Sequence, residues 1–180
     1  MWGKGRGNWC LTREKSGGGP LINLGIHKLD HALFLTGAWP RVEHITGFVT
    51  SGVGSREAAA HGAVYDIEDY AFGMVRFVGG LLLTVEASYF LNLPGEVQDT
   101  VIIGTRGAIE LSRGKAKLLT RTADGLVATM LEPDQQTATS CVEHFCRVLH
   151  GQEQLILTAE VGLQGLEIVE GIYQNASQVS

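Results

Sequence analysis

Charge is scarce in this chain: Asp, Glu, Lys and Arg make up 18% of its 180 residues, below the quarter or so common in soluble domains. Part of the folded surface is therefore expected to be apolar and to serve as an interface. The net charge of −5 comes with no basic run, which argues against nucleic acid as a partner. No apolar stretch can span a bilayer; the longest, Leu81-Leu82-Leu83-Thr84-Val85, falls far short of the ~20 residues a membrane helix needs. The opening Met1-Trp2-Gly3-Lys4-Gly5-Arg6-Gly7 lacks the apolar core of a signal peptide. Cysteine is rare as well. Cys10, Cys141 and Cys146 are odd in number and show no CxxC spacing, so reduced thiols in a cytoplasmic protein are expected. There are no internal repeats and no low-complexity linker. What remains is 44% hydrophobic, too apolar for disorder, and long enough for one domain with a real core.

The periodicities predict an α+β fold, a mainly antiparallel open sheet with helices on one face. Residues 1–16 read as an N-terminal arm or loop, and 17–180 as a single domain. A helix is predicted from Ile26 to Thr36, with Ile26, Leu29, Leu33 and Phe34 inward and Gly37 ending it. Val42 to Thr50 reads as a strand and Ser51 to Ala63 as a loop. Tyr70 to Phe77 pairs with Leu81 to Tyr89 across the two-glycine turn Gly79-Gly80. Strands follow at Val97 to Ile103, Ala108 to Leu111, Lys115 to Thr120 and Leu126 to Leu131, separated by glycine turns that suit antiparallel neighbours. Two amphipathic helices close the chain. One spans Thr137 to His150 with Val142, Phe145, Val148 and Leu149 inward; the other spans Ala159 to Ala176 with Leu163, Leu166, Ile168, Val169 and Ile172 apolar. Val75, Phe77, Leu81, Leu83 and Val85 alternate with Met74, Arg76, Leu82 and Thr84, so both sheet faces carry apolar residues. The face away from the helices is expected to meet a second subunit.

The run from Gly17 to Asp30, GGGPLINLGIHKLD, carries the chemistry. Successive glycines let the backbone come close to a ligand. His27 and Asp30, three apart, share a helix face, and histidine suits proton transfer near neutral pH. The pattern reads as one wall of an active site. A structural histidine and a solvated carboxylate are the plainer readings of the same two residues. Asn23 offers a donor and an acceptor for a substrate hydroxyl but no charge. His27, Asp30 and His31 also make an HxxDH cluster, yet no further ligand is evident nearby and no metal is expected. Gly52-Val53-Gly54-Ser55-Arg56-Glu57 imitates a phosphate loop. Glu57 stands at the third glycine position and no ribose-binding acid follows on a return strand, so the imitation fails. Gly3, Gly5 and Gly7 have no preceding strand and fail likewise. Trp39 next to Pro40 reads as local packing, and Tyr89 either faces a cleft or packs in the core or rim.

The same run resembles the signature that opens the C-terminal domain of glucose–fructose oxidoreductase/inositol dehydrogenase (Gfo/Idh/MocA) enzymes. Tyr65-Asp66-Ile67-Glu68-Asp69-Tyr70-Ala71, Arg76-Phe77-Val78-Gly79-Gly80, Glu86-Ala87-Ser88-Tyr89, Ile103-Gly104-Thr105-Arg106-Gly107, His144-Phe145 and Ile172-Tyr173 are similar to later blocks of that family, in order. The resemblance implies an NAD(P)-dependent oxidoreductase acting on a sugar, polyol or related hydroxyl compound. His27 would exchange a proton with the substrate hydroxyl, Asn23 and Asp30 would stand beside it, and Gly17, Gly18 and Gly19 would clear space for substrate and nicotinamide. The family usually has aspartate where Asn23 stands, which implies altered substrate preference or weaker catalysis. No dinucleotide-binding unit and no Glu-Lys-Pro motif with the family's catalytic lysine are found in these residues. NAD or NADP is therefore expected in a full-length parent and not on this chain alone, which is expected to be inactive by itself. The expected partners are a small sugar-like molecule and further copies of the chain, as a homodimer or tetramer through the sheet face. The alternatives are a non-catalytic dimerisation or ligand-binding module and, third, a small metal hydrolase using His27, Asp30 and His31.

Overall fold

The computed structural model describes residues 8–37, 40–90, 97–132 and 140–178. Trp2, Gly3, Gly5, Gly7 and Trp39 lie outside them. The α+β reading holds, with the strands divided into two four-stranded sheets. The chain forms two compact units, one of residues 1–92 with 160–180 and one of residues 93–159.

In the first unit the sheet order is β3-β2-β1-β8, from β1 (Val42–Thr50), β2 (Tyr70–Phe77), β3 (Leu82–Ser88) and β8 (Ala176–Gln178). β1, β2 and β3 are antiparallel, whereas β8 runs parallel to β1 from Gly47↔Ala176 to Val49↔Gln178. The β2–β3 turn carries Gly79 at φ 96° and Gly80 at φ 91°, angles that residues with a Cβ rarely adopt. Alternation puts Ala71, Val75, Phe77, Leu83, Val85 and Ala87 on the buried face. Two helices cover that face, α2 (Ile26–Thr36) and α5 (Ala159–Gln174). Gly47 and Gly73 are cross-strand partners and seat Ile172 of α5 where a Cβ on either would collide with it. The opposite face carries Phe48 and Phe72 with ring centroids 6.3 Å apart, beside the half-buried Met74.

Two expectations are corrected here. Residues 51–63 are not all loop: α3 (Val53–Ala60) forms because the Asp69 carboxylate accepts from the N–H groups of Val53 (2.7 Å) and Gly54 (2.9 Å), satisfying donors that every helix start leaves open. Phe34 is 47% exposed while Leu33 is fully buried, since neighbours on a helix point about 100° apart. Leu163 and Leu166 of α5 are also exposed, with Ile168, Val169 and Ile172 taking the core. Residues 8–16 form a 3-10 turn (Asn8–Leu11) and a one-turn helix, α1 (Arg13–Ser16). Leu11 is buried with Ala58, Tyr65 and Ile67.

The second unit is an antiparallel meander of β4 (Asp99–Gly104), β5 (Gly107–Ser112), β6 (Lys115–Thr122) and β7 (Gly125–Leu131), followed by α4 (Cys141–Leu149). Arg113 (φ 50°) and Gly114 (φ 73°) make the two-residue β5–β6 turn, the left-handed pair that matches strand twist. Ser140 caps α4 by accepting from Glu143 N–H at 3.1 Å. The expected inward face of α4 is corrected: Val142, Phe145 and Leu149 are exposed. Helical periodicity identifies an apolar face without identifying what covers it.

Candidate active site around His27

The glycine block leads through Pro20 into a π-helical turn, Leu21–Gly25, that runs straight into α2. The reason lies in Glu68, only 1% exposed. Its carboxyl oxygens accept from Gly19 N–H (2.9 Å), Leu21 N–H (3.2 Å) and the Tyr173 hydroxyl (2.7 Å). A buried carboxylate is tolerable where backbone donors and the positive end of a helical run meet it. The glycines are dictated by that clamp. A Cβ on Gly19 would stand 2.6 Å from the Glu68 carbonyl oxygen, and one on Gly18 would collide with the Tyr173 phenol. The close approach at Gly18 and Gly19 is thus to the chain's own side chains, both glycines being buried, and Gly17 alone of the three is exposed. The guanidinium of Arg13 lies 5.6 Å over the Tyr173 ring. Burial, with Glu68 alongside, raises the Tyr173 phenol above its ordinary range.

On this pinned run the side chains of Asn23 and His27 are exposed, one helical turn apart, and Asp30 follows half-buried on the same face. The imidazole is therefore open to a ligand rather than sealed in the core. His31 is exposed too, and among the described residues no group of three His, Cys, Asp or Glu side chains is placed to hold a metal. Asn23 Nδ2 donates to the Tyr89 phenol oxygen at 2.6 Å. Burial raises the Tyr89 phenol, a shift that the Asn23 hydrogen bond partly offsets. Tyr65, edge-on to Phe90 at 5.7 Å, donates to the Glu68 carbonyl at 2.9 Å. A groove of 440 Å³ lined by Arg41, Val42, Glu160, Leu163, Gln164 and Glu167 contains none of these groups.

The phosphate-loop imitation meets a physical obstacle. The Val53 and Gly54 N–H groups that a pyrophosphate would need are held by Asp69, so this loop does not fit the phosphates of a dinucleotide. Among the described residues no helix is long and apolar enough to cross a membrane. Sequence reasoning missed the parts played by Glu68 and Tyr173. The one available signal was an acidic pair, Glu68-Asp69, set among Tyr65, Ile67, Tyr70 and Ala71, and its partners lie 49 and 105 residues away.

Comparison with known proteins bears on the family and the fold. A family model described as the GFO/IDH/MocA C-terminal domain matches residues 1–110. The chain is 28% identical over 173 residues to D-glucoside 3-dehydrogenase of Escherichia coli (strain K12), covering 92% of this chain and 48% of that protein. It spans about half the length of that curated relative. Aldose-aldose oxidoreductase from Caulobacter crescentus, solved with glycerol, superposes with a TM-score of 0.71 at 22% identity, over 93% of this chain and 48% of its own. Levoglucosan dehydrogenase, solved with NADH and levoglucosan, gives 0.73 at 17% identity, over 93% and 50%. At these identities the two structures speak for the fold alone.

Proposed function

Because the chain belongs to the GFO/IDH/MocA oxidoreductase family as a C-terminal domain, we propose that residues 17–180 are the substrate-binding and oligomerisation part of an NAD- or NADP-dependent enzyme. The reaction is oxidation or reduction of a CH–OH group in a sugar, polyol or related hydroxyl compound. The single observation that carries this reading is an exposed His27 on a helical run locked in place by the buried Glu68.

Oxidising a carbinol to a carbonyl releases the O–H proton, and a histidine imidazole takes it; in the reverse direction it returns it. His27 is that group. Asp30, on the same helix face, orients the ring, and Asn23 binds a substrate hydroxyl. The nicotinamide would supply hydride transfer when bound in the parent enzyme, and the share of this chain's residues in the reaction is binding, orientation and the proton. The outer sheet face with Phe48, Phe72 and Met74 is the surface for a second copy.

Two measurements test the reading on the chain as it stands. Titration with methyl β-D-glucopyranoside should move the His27 Cε1–H resonance, and calorimetry with NADH should show no micromolar binding. A His27 signal indifferent to every neutral polyol refutes the catalytic assignment, and tight NADH binding refutes the division of labour.

A further inference from the structure

The hydrogen bond between Asn23 and Tyr89 has a direction, and the direction matters. Asn23 comes from the π-helical turn and Tyr89 from just beyond β3, where its own N–H donates to the Asp69 carbonyl at 3.1 Å. The two side chains meet at 2.6 Å with the amide as donor and the phenol oxygen as acceptor. A phenol oxygen that accepts in this way sends its own hydrogen elsewhere. Among the described residues no acceptor receives that hydrogen and no donor reaches Asn23 Oδ1. The phenol stays protonated through neutral pH, because burial raises it.

The pair therefore displays one outward donor, the Tyr89 O–H, and one outward acceptor, Asn23 Oδ1, without net charge. We propose that Tyr89, held by Asn23, is a substrate-contacting residue that selects neutral polyols: its O–H donates to a carbinol oxygen, and Asn23 Oδ1 accepts that same carbinol's hydrogen. This deepens the reading of His27 given above and rests on it. A hydroxyl supplies one donor and one acceptor and satisfies both groups. A carboxylate or phosphate oxygen has no hydrogen for Asn23 Oδ1, and an ammonium has no lone pair for the phenol. Either would leave one polar group of the pair unpaired and lose affinity for it.

Two substitutions separate the pair's function from its packing. Tyr89→Phe keeps the ring and removes the donor. Asn23→Asp replaces the amide donor by an acceptor, so the phenol hydrogen is drawn to the carboxylate and away from any ligand. The assay is NMR titration of the full chain with methyl β-D-glucopyranoside and, separately, with acetate, an anion without a hydroxyl, following the His27 imidazole and, where asparagine is present, the Asn23 side-chain amide.

In the wild type the glucoside should shift both groups and bind more tightly than acetate. Each variant should bind the glucoside about three- to tenfold more weakly, the value of one hydrogen bond to a partly exposed group. Its far-ultraviolet circular dichroism should be unchanged, and its His27 signal should still move at saturation in Tyr89→Phe. Wild-type affinity in either variant overturns the proposal and leaves the role of His27 standing, as does acetate binding as tightly as the glucoside. A wild type in which the glucoside moves neither group overturns both.

Discussion

Replacing Glu68 by glutamine keeps the shape of the clamp and changes only its hydrogen-bonding sense. The wild-type carboxyl, 1% exposed, receives three donors: Gly19 N–H at 2.9 Å, Leu21 N–H at 3.2 Å and the Tyr173 hydroxyl at 2.7 Å. A glutamine oxygen in the position of Oε1 keeps Leu21 and Tyr173 but turns an NH₂ toward the Gly19 N–H. The opposite flip keeps Gly19 and turns the NH₂ toward the Leu21 N–H, with the Tyr173 hydroxyl swinging round to accept. In both arrangements one buried backbone donor faces another donor, which costs about 1–3 kcal/mol. Urea denaturation followed by circular dichroism should show a lower midpoint at unchanged slope. Tyr173→Phe, which removes one donor and leaves the carboxyl with two, should cost about 1 kcal/mol. The double variant should show coupling, because the two side chains share a bond. The loss should also be local. Amides of residues 19–25 should exchange faster, since these carry the donors the clamp holds. An unchanged midpoint in Glu68→Gln, or faster exchange spread evenly over the sheet, would refute the idea that Glu68 positions the helix bearing Asn23 and His27.

Other outcomes follow from the same contacts. Gly19→Ala should destabilise by about 1–3 kcal/mol, because its Cβ would sit 2.6 Å from a backbone carbonyl that cannot move aside alone; a neutral substitution in urea melts would contradict the packing. Burial is the leading cause that raises the phenols of all four tyrosines, Tyr65, Tyr70, Tyr89 and Tyr173, above 10.0. Folded phenols thus hold their protons more tightly than unfolded ones, so this stability is whole below pH 10 and is lost as pH rises beyond it. Tyrosinate absorbance should appear together with unfolding, and a midpoint near 10 in the folded protein would contradict it. Glu153 is held below the ordinary carboxylate range first by Arg147, whose Nη1 donates to Oε1 at 2.9 Å, and then by His144, 2.7 Å away. Its tether to α4 should be intact above the ordinary glutamate range and open as pH falls through the lowered value. NMR titration of the Glu153 carboxyl checks this, and a value at or above the ordinary one would contradict it.

Local chemistry alone specified several elements. Helical periodicity with a left-handed Gly37 set α2, the Gly79-Gly80 pair set the β2–β3 hairpin, and short glycine turns set the meander of β4 to β7, because periodicity and turn conformation act within a few residues. Helical spacing put His27 and Asp30 on one face of α2 by the same local logic. Tertiary contact decided the rest. The start of α3 depends on a carboxylate fifteen residues beyond Gly54. The reason for Gly18 and Gly19 lies in Glu68 and Tyr173, and the polarity of Asn23 is set by a phenol 66 residues away. Hydrogen bonds and close packing act over a few ångströms of space, whatever the length of chain between them, so a pattern of neighbours cannot reveal them until the chain has folded.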